Sequence, residues 1–190
     1  MKAKEILKNV CVYLGKEEIL SSSIFEENGE ELTEEQMAEV NKIIKCINLV
    51  QEEIATEYLR VLKEKEVTLT NGEIDARNID ENIFEIISIK NKFGKSLKYK
   101  YVNGKIVCLT NKAIITYSTY PKSVVELNDD VENFAGKMSA RVLGYGVASE
   151  YCYLEMLYDD ATIWETRFKN ALLVLARKKG EIKLKKRGWL

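Results

Sequence analysis

The stretch Ser96-Leu97-Lys98-Tyr99-Lys100-Tyr101-Val102-Asn103-Gly104-Lys105 decides the fold class. Polar and apolar residues alternate from Ser96 to Val102, the period of a half-buried strand. Asn103-Gly104 is a strong hairpin-turn signal, because both turn residues must take positive φ. The chain returns from Lys105 to Leu109, turns at Asn111-Lys112, and runs from Ala113 to Tyr120 as a last strand. Pro121, the only proline, stops it. Upstream, Val67-Thr68-Leu69-Thr70 precedes a second Asn-Gly turn at Asn71-Gly72. Phe84, Ile86, Ile87 and Ile89 predict a strand, and Lys92-Phe93-Gly94-Lys95 a turn. Residues 67–121 therefore read as an antiparallel meander of about five short strands.

Helical spacing surrounds this unit. Ile6, Leu7, Val10, Tyr13 and Leu14 predict a helix over 3–13 that Gly15 ends, with a helical turn at 17–21 and a polar loop over 21–32. Thr33 and Gln36 have capping-box spacing. Met37, Val40, Ile44, Ile47, Ile54, Tyr58 and Val61 then follow at steps that are mostly three or four, predicting a helix from 33 to about 64. Phe134, Met138, Val142, Tyr145, Ser149, Cys152 and Met156 predict a helix over 131–158. Gly136, Gly144 and Gly146 fall inside it, each costing roughly 1 kcal/mol against alanine. Such a tolerated cluster points to close packing, which we assign to contacts between subunits. After Tyr158-Asp159-Asp160 a last helix is expected from 161 to about 179.

The fold expected is α+β, mostly α: an antiparallel helical bundle with an inserted antiparallel β-meander. Its parts are N-terminal helices (1–66), the meander (67–121), a C-terminal helical hairpin (122–179) and a basic tail (180–190). No apolar run is long enough for a membrane span, and the first residues have no signal-peptide pattern, so a cytosolic protein is expected.

There is no histidine among the 190 residues. Ser-His-Asp and Cys-His chemistry and His-ligated metals are excluded. Cys11, Cys46, Cys108 and Cys152 are far apart and sit among apolar residues, as buried small hydrophobes do. Gly144-Tyr145-Gly146-Val147-Ala148-Ser149 begins like a dinucleotide fingerprint but has serine at its third small position and no strand before it. Glu150, Glu155, Asp159 and Asp160 could gather around a hard cation, although a solvated helix face is the simpler reading. Asp75, Glu85 and Lys90 can be assembled into a nuclease-like set, a combination that arises easily in a charge-rich chain. Tyr99, Tyr101, Tyr117 and Tyr120 with Lys98, Lys100 and Lys105 could stack single-stranded bases on a sheet. Nothing in these patterns calls for an enzyme, a metal or a cofactor.

Formal net charge is −1, but it is unevenly spread. Residues 1–66 carry 9 basic and 15 acidic side chains, a net −6, whereas residues 177–190 carry 7 and 1, a net +6. After Gly180 the tail alternates Ile182 and Leu184 with Lys183 and Lys185, then continues Lys186-Arg187-Gly188-Trp189-Leu190. Alternation suits a strand added to a partner's sheet edge, and Trp and Arg are frequent interface anchors. The tail is read as a docking peptide.

The order of elements over 114–175 carries a resemblance. A strand ends in Ile114-Ile115-Thr116-Tyr117-Ser118-Thr119-Tyr120-Pro121, and an acidic turn follows at Leu127-Asn128-Asp129-Asp130. A helix with Ala148-Ser149-Glu150-Tyr151-Cys152, the break Asp159-Asp160-Ala161, and a helix with Trp164-Glu165-Thr166-Arg167-Phe168 complete it. This pattern resembles the head–tail connector adaptors of tailed bacteriophages, including the tail tubular protein A group. The resemblance implies a structural virion protein at the head–tail interface, met in the host cytoplasm during assembly. It implies a homo-oligomeric ring, usually of twelve subunits, below the portal protein. Such a ring touches tail or nozzle proteins and lets genomic DNA pass without sequence-specific contact. It also implies that the tail is the segment that reaches the portal. A cytosolic nucleic-acid-binding module using the Tyr/Lys-rich meander and the basic tail is the alternative, and a small metal-dependent hydrolase a third.

Overall fold

The computed structural model of the chain describes residues 1–136 and 138–176. The tail at 180–190, with the docking residues assigned to it, lies outside them. Among the described residues are five α-helices and two three-stranded antiparallel sheets, with 45% helix and 24% strand. Strands thus supply a quarter of the chain, in two sheets. The architecture is an α+β mix, and the expectation of a helical bundle with one inserted meander is overturned.

Helix α1 (Ala3–Tyr13) buries Ile6, Leu7 and Val10 and ends where Gly15 takes φ +65°. A short α2 (Glu17–Leu20) leads to α3 (Glu34–Glu53). Its capping box forms as the spacing predicts: the Gln36 amide N–H donates to the Thr33 hydroxyl (3.2 Å), and the Thr33 N–H donates to the Gln36 side chain (3.0 Å). The apolar stripe of α3 buries Val40, Ile43, Ile47 and Val50.

That helix does not continue to 64. It loosens into one π-turn (Ile54–Tyr58), and β1 (Val61–Thr68) begins where Lys63-Glu64-Lys65-Glu66 reads as a helix surface. Pairing with a distant strand overrides local propensity here. β1 runs antiparallel to β6 (Lys112–Thr119) from Val61 opposite Thr119 to Thr68 opposite Lys112. Lys65 donates to the Ile79 carbonyl (2.6 Å) and Lys63 pairs with Asp80 (2.9 Å), so the lysine side of the strand is also held.

The order β1-β6-β3 (β3, Ile83–Lys90) places the last strand between the first and third. The second sheet is ordered β2-β5-β4 (β2, Glu73–Asp75; β5, Lys105–Cys108; β4, Tyr99–Val102). Neither order is that of a simple meander through five strands. The Asn-Gly turns do form, with Asn71 and Gly72 at φ +53° and +78°, and Asn103 and Gly104 at +51° and +76°. Both sheets share one core containing Val67, Leu69, Ile89, Ile106 and Ile115. The Tyr99 hydroxyl ties them by donating to the Ile86 carbonyl (3.1 Å).

The other core is helical, and the segment after β6 is stitched into it. The Asn48 side chain donates to the Val124 carbonyl (2.8 Å) and accepts from its N–H (2.7 Å), while buried Gln51 accepts from the Glu132 N–H (2.9 Å). Val124, Val131 and Phe134 are buried there outside any α-helix. Helix α4 therefore starts only at Ala140, capped by Ser139, and ends at Leu154; α5 runs Tyr158–Ala176. Gly136 falls outside α4, in a 3-10 turn at φ +73° with open space where a side chain would be. Gly144 and Gly146 are in α4, and the close approach they permit is within the chain. A Cβ on Gly144 would lie 3.1 Å from the Tyr13 ring, which stacks on Trp164 (4.9 Å). A Cβ on Gly146 would lie 2.9 Å from both Phe168 and Val50.

Candidate functional site

The turn between α4 and α5 is built as a Schellman motif. The Leu157 N–H donates to the Cys152 carbonyl (2.9 Å) and the Met156 N–H to the Tyr153 carbonyl (3.1 Å). The left-handed position of that motif favours glycine, and α1 ends in the same way with Gly15. Here it holds Met156 at φ +60°, with its side chain 74% exposed. Leu154, Leu157 and Tyr158 are exposed beside it. Four large apolar groups thus crown the turn, among Glu155, Asp159 and Asp160.

A charged network holds this turn against the front of the helical core. Lys42 on α3 donates to Glu39 (3.0 Å) and to Glu155 (2.5 Å), and Lys16, just after α1, donates to Glu39 (2.9 Å). The Tyr151 hydroxyl also donates to Glu39, and the Lys16 ammonium lies 4.7 Å from the Tyr151 ring centre. Burial opposes the Glu39 charge, but the Tyr151, Lys16 and Lys42 donors outweigh it and hold the carboxyl down to about 2. The hydrogen bonds it donates to Glu155 and Glu39 push the Lys42 ammonium up. This network makes Glu155 a structural ion-pair partner.

A second exposed apolar surface lies on the strand unit. Leu109 is fully exposed in the β5–β6 turn, Phe93 is 80% exposed in the β3–β4 loop, and Tyr101 and Val102 are exposed on β4, an edge strand. The charge there is of one sign. From Ile86 to Lys122 the chain carries eight lysines and no acidic residue. Of these lysines only Lys105 has an ion-pair partner among the described residues, Glu73 at 3.5 Å.

The other sequence candidates are dispersed. The glycine-rich 144–149 run lies inside α4, without the strand–loop–helix context a phosphate site needs. Asp75 caps the Arg77 N–H (2.9 Å) from β2, and Glu85 on β3 pairs with Arg60 (2.9 Å), in different sheets. Glu150 is half-buried, and burial first, then nearby Glu165, raises its carboxyl. Of the four tyrosines, Tyr117 is buried with its hydroxyl toward Asp80 (3.4 Å) and Tyr99 is spent bridging the sheets; Tyr101 and Tyr120 remain exposed. The four cysteines are free and buried, and burial pushes Cys11 to about 11 and Cys46 to about 12. Among the described residues no group of three or more Cys, Asp or Glu side chains is placed to hold a metal ion, and no helix is long and apolar enough to cross a membrane. Exposed Phe93, Leu109 and Met156 carry no motif; only their exposure on folded turns distinguishes them from core residues.

No family model matches the chain, and no curated protein matches it.

Proposed function

We propose that this chain is a structural assembly subunit, a head–tail connector adaptor of the tailed-bacteriophage kind. Copies form a ring below the portal, twelve as the resemblance implies, and extend the DNA channel towards the tail proteins. The observation that carries the reading is the pair of exposed apolar surfaces, one on the α4–α5 turn and one on the strand unit. Large apolar groups left exposed on folded turns and an edge strand mark surfaces that partners cover. A subunit inside a ring needs two such surfaces, one for each neighbour. The element order over residues 114–175 supports the adaptor assignment in particular. The basic segment at 180–190 is the proposed contact with the portal, and no catalytic step is assigned.

The test is co-expression with the portal protein of a tailed bacteriophage, followed by electron microscopy of the purified particles. Portal particles carrying a ring of this chain are expected; portal particles carrying none would refute the reading. A nucleic-acid-binding module is the second reading, favoured by the eight lysines of residues 86–122. Its affinity for single-stranded DNA would be sub-micromolar at physiological salt, would fall steeply as salt rises, and would be lost in Lys100→Ala.

A further inference from the structure

We infer that the α4–α5 turn of one copy docks on the β4–β5 face of the next copy of this chain. The inference rests on the ring reading and names its subunit contact.

Placement comes first. Glu155 at the turn is tied to Lys42 in the first half of α3, whereas the strands leave from the other end of that helix after Tyr58. Lys42 and Ile54 are roughly 18 Å apart at the helical rise. The turn and the strand unit are therefore attached towards opposite ends of α3. A contact between them is head-to-tail and repeats from copy to copy, closing into a ring when the rotation allows.

Chemistry comes second. Residues 150–165 carry five acidic side chains and no lysine or arginine, while residues 86–122 carry eight lysines and no acid. Asp159 and Asp160 have no ion-pair partner among the described residues. Each charged segment also carries exposed large apolar groups: Met156 and Leu157 in one, Phe93 and Leu109 in the other. An apolar centre within a complementary charged rim is the composition of a specific protein contact. Double-stranded DNA would account for the lysines but for neither the exposed Phe93 and Leu109 nor the acidic end.

A photo-cross-linking side chain, benzoylphenylalanine, placed at Tyr158 of the full chain tests the contact. Isotopically light and heavy copies are mixed at low salt, alone and on the portal, and the cross-links are mapped by mass spectrometry. Cross-links from position 158 to residues 93–109 of a different copy are expected in at least one setting. The pair Asp159→Lys and Asp160→Lys, or the pair Lys98→Glu and Lys100→Glu, should each lower their yield about tenfold. All four changes together should restore it. These residues are exposed, and circular dichroism checks that each variant keeps the fold. No inter-copy cross-link in either setting, or a yield unmoved by both reversals, overturns the inference. So does a Lys98→Glu, Lys100→Glu variant that loses retention of a DNA duplex but keeps its cross-links. Rings on the portal that survive every reversal overturn the contact and leave the ring reading standing. Cross-links without any ring on the portal overturn the ring reading and leave the contact standing.

Discussion

At Gly146 an added Cβ would lie 2.9 Å from the Phe168 ring and 2.9 Å from Val50 Cγ1, closer than such atoms approach in folded proteins. Alanine would gain helix propensity, about 1 kcal/mol, but would push α4 away from α3 and α5. Overpacking of this kind costs about 1–3 kcal/mol. Gly146→Ala should therefore be destabilising in a urea titration, and more so than Gly144→Ala, whose nearest neighbour would be 3.1 Å away. Met156 shows the opposite case. Its left-handed backbone costs about 1 kcal/mol that glycine would not. Met156→Gly should raise the unfolding midpoint of the free chain with no change in slope. Glu39 sets a pH dependence. Its carboxyl titrates at about 2 in the folded chain against 4.5 as its ordinary value, so its contribution is complete above pH 4.5 and is lost as pH falls towards 2. Screening at this partly exposed position leaves about 1–2 kcal/mol. Tyr151→Phe should shrink that acid limb in pH-dependent melts; an unchanged limb would show that Tyr151 contributes nothing to it.

At the scale of elements, the two Asn-Gly turns separate backbone strain from steric clash. Gly104 and Gly72 both have φ near +77°, but only Gly72 has a backbone atom, the Cys108 carbonyl oxygen, 2.8 Å from where a Cβ would be. Gly104→Ala should cost about 1 kcal/mol and Gly72→Ala about 2 kcal/mol or more, read from chemical denaturation. These turns were legible because their chemistry is local: an Asn-Gly pair has few other uses between two apolar runs. The Thr33 cap was legible for the same reason. The start of β1 was not, because Lys63 to Glu66 satisfies helix spacing equally well and only its pairing with β6, some fifty positions away, makes it a strand. The start of α4 was hidden likewise. Phe134 and Met138 are spaced as on one α-helix, yet Phe134 enters the core from a 3-10 turn and Met138 from the chain just before α4, after a segment that Gln51 and Asn48 hold in place. The candidate surfaces were half legible. Lys98, Lys100, Tyr101 and the acids from 150 to 160 stood out by type, but their division between the strand unit and the α4–α5 turn follows from the fold alone.

For the whole molecule, the proposed division of labour is that the folded body makes the ring and the tail makes the portal contact. Among the described residues, the last of the helical core are Phe168 and Leu172, with Leu175 packed partly against it. On the docking role, removing 181–190 takes away no side chain that the helical core needs. The melting temperature should move by less than about 2 °C, the scale of 1 kcal/mol or less for a chain of this size. Portal attachment should suffer far more. The tail carries four basic residues, Lys183, Lys185, Lys186 and Arg187, in the same short segment as Trp189, and a Trp anchor in a basic peptide is worth about 2 kcal/mol or more at an interface. That is about thirtyfold in affinity. Trp189→Ala alone should reproduce most of the loss, whereas Lys183→Ala should produce a smaller, salt-sensitive one. Co-purification with the portal at two salt concentrations, beside a thermal melt of the free chain, measures both quantities. A truncated chain that melts well below the full one while still binding the portal would assign Trp189 to the chain's own core and refute the docking role.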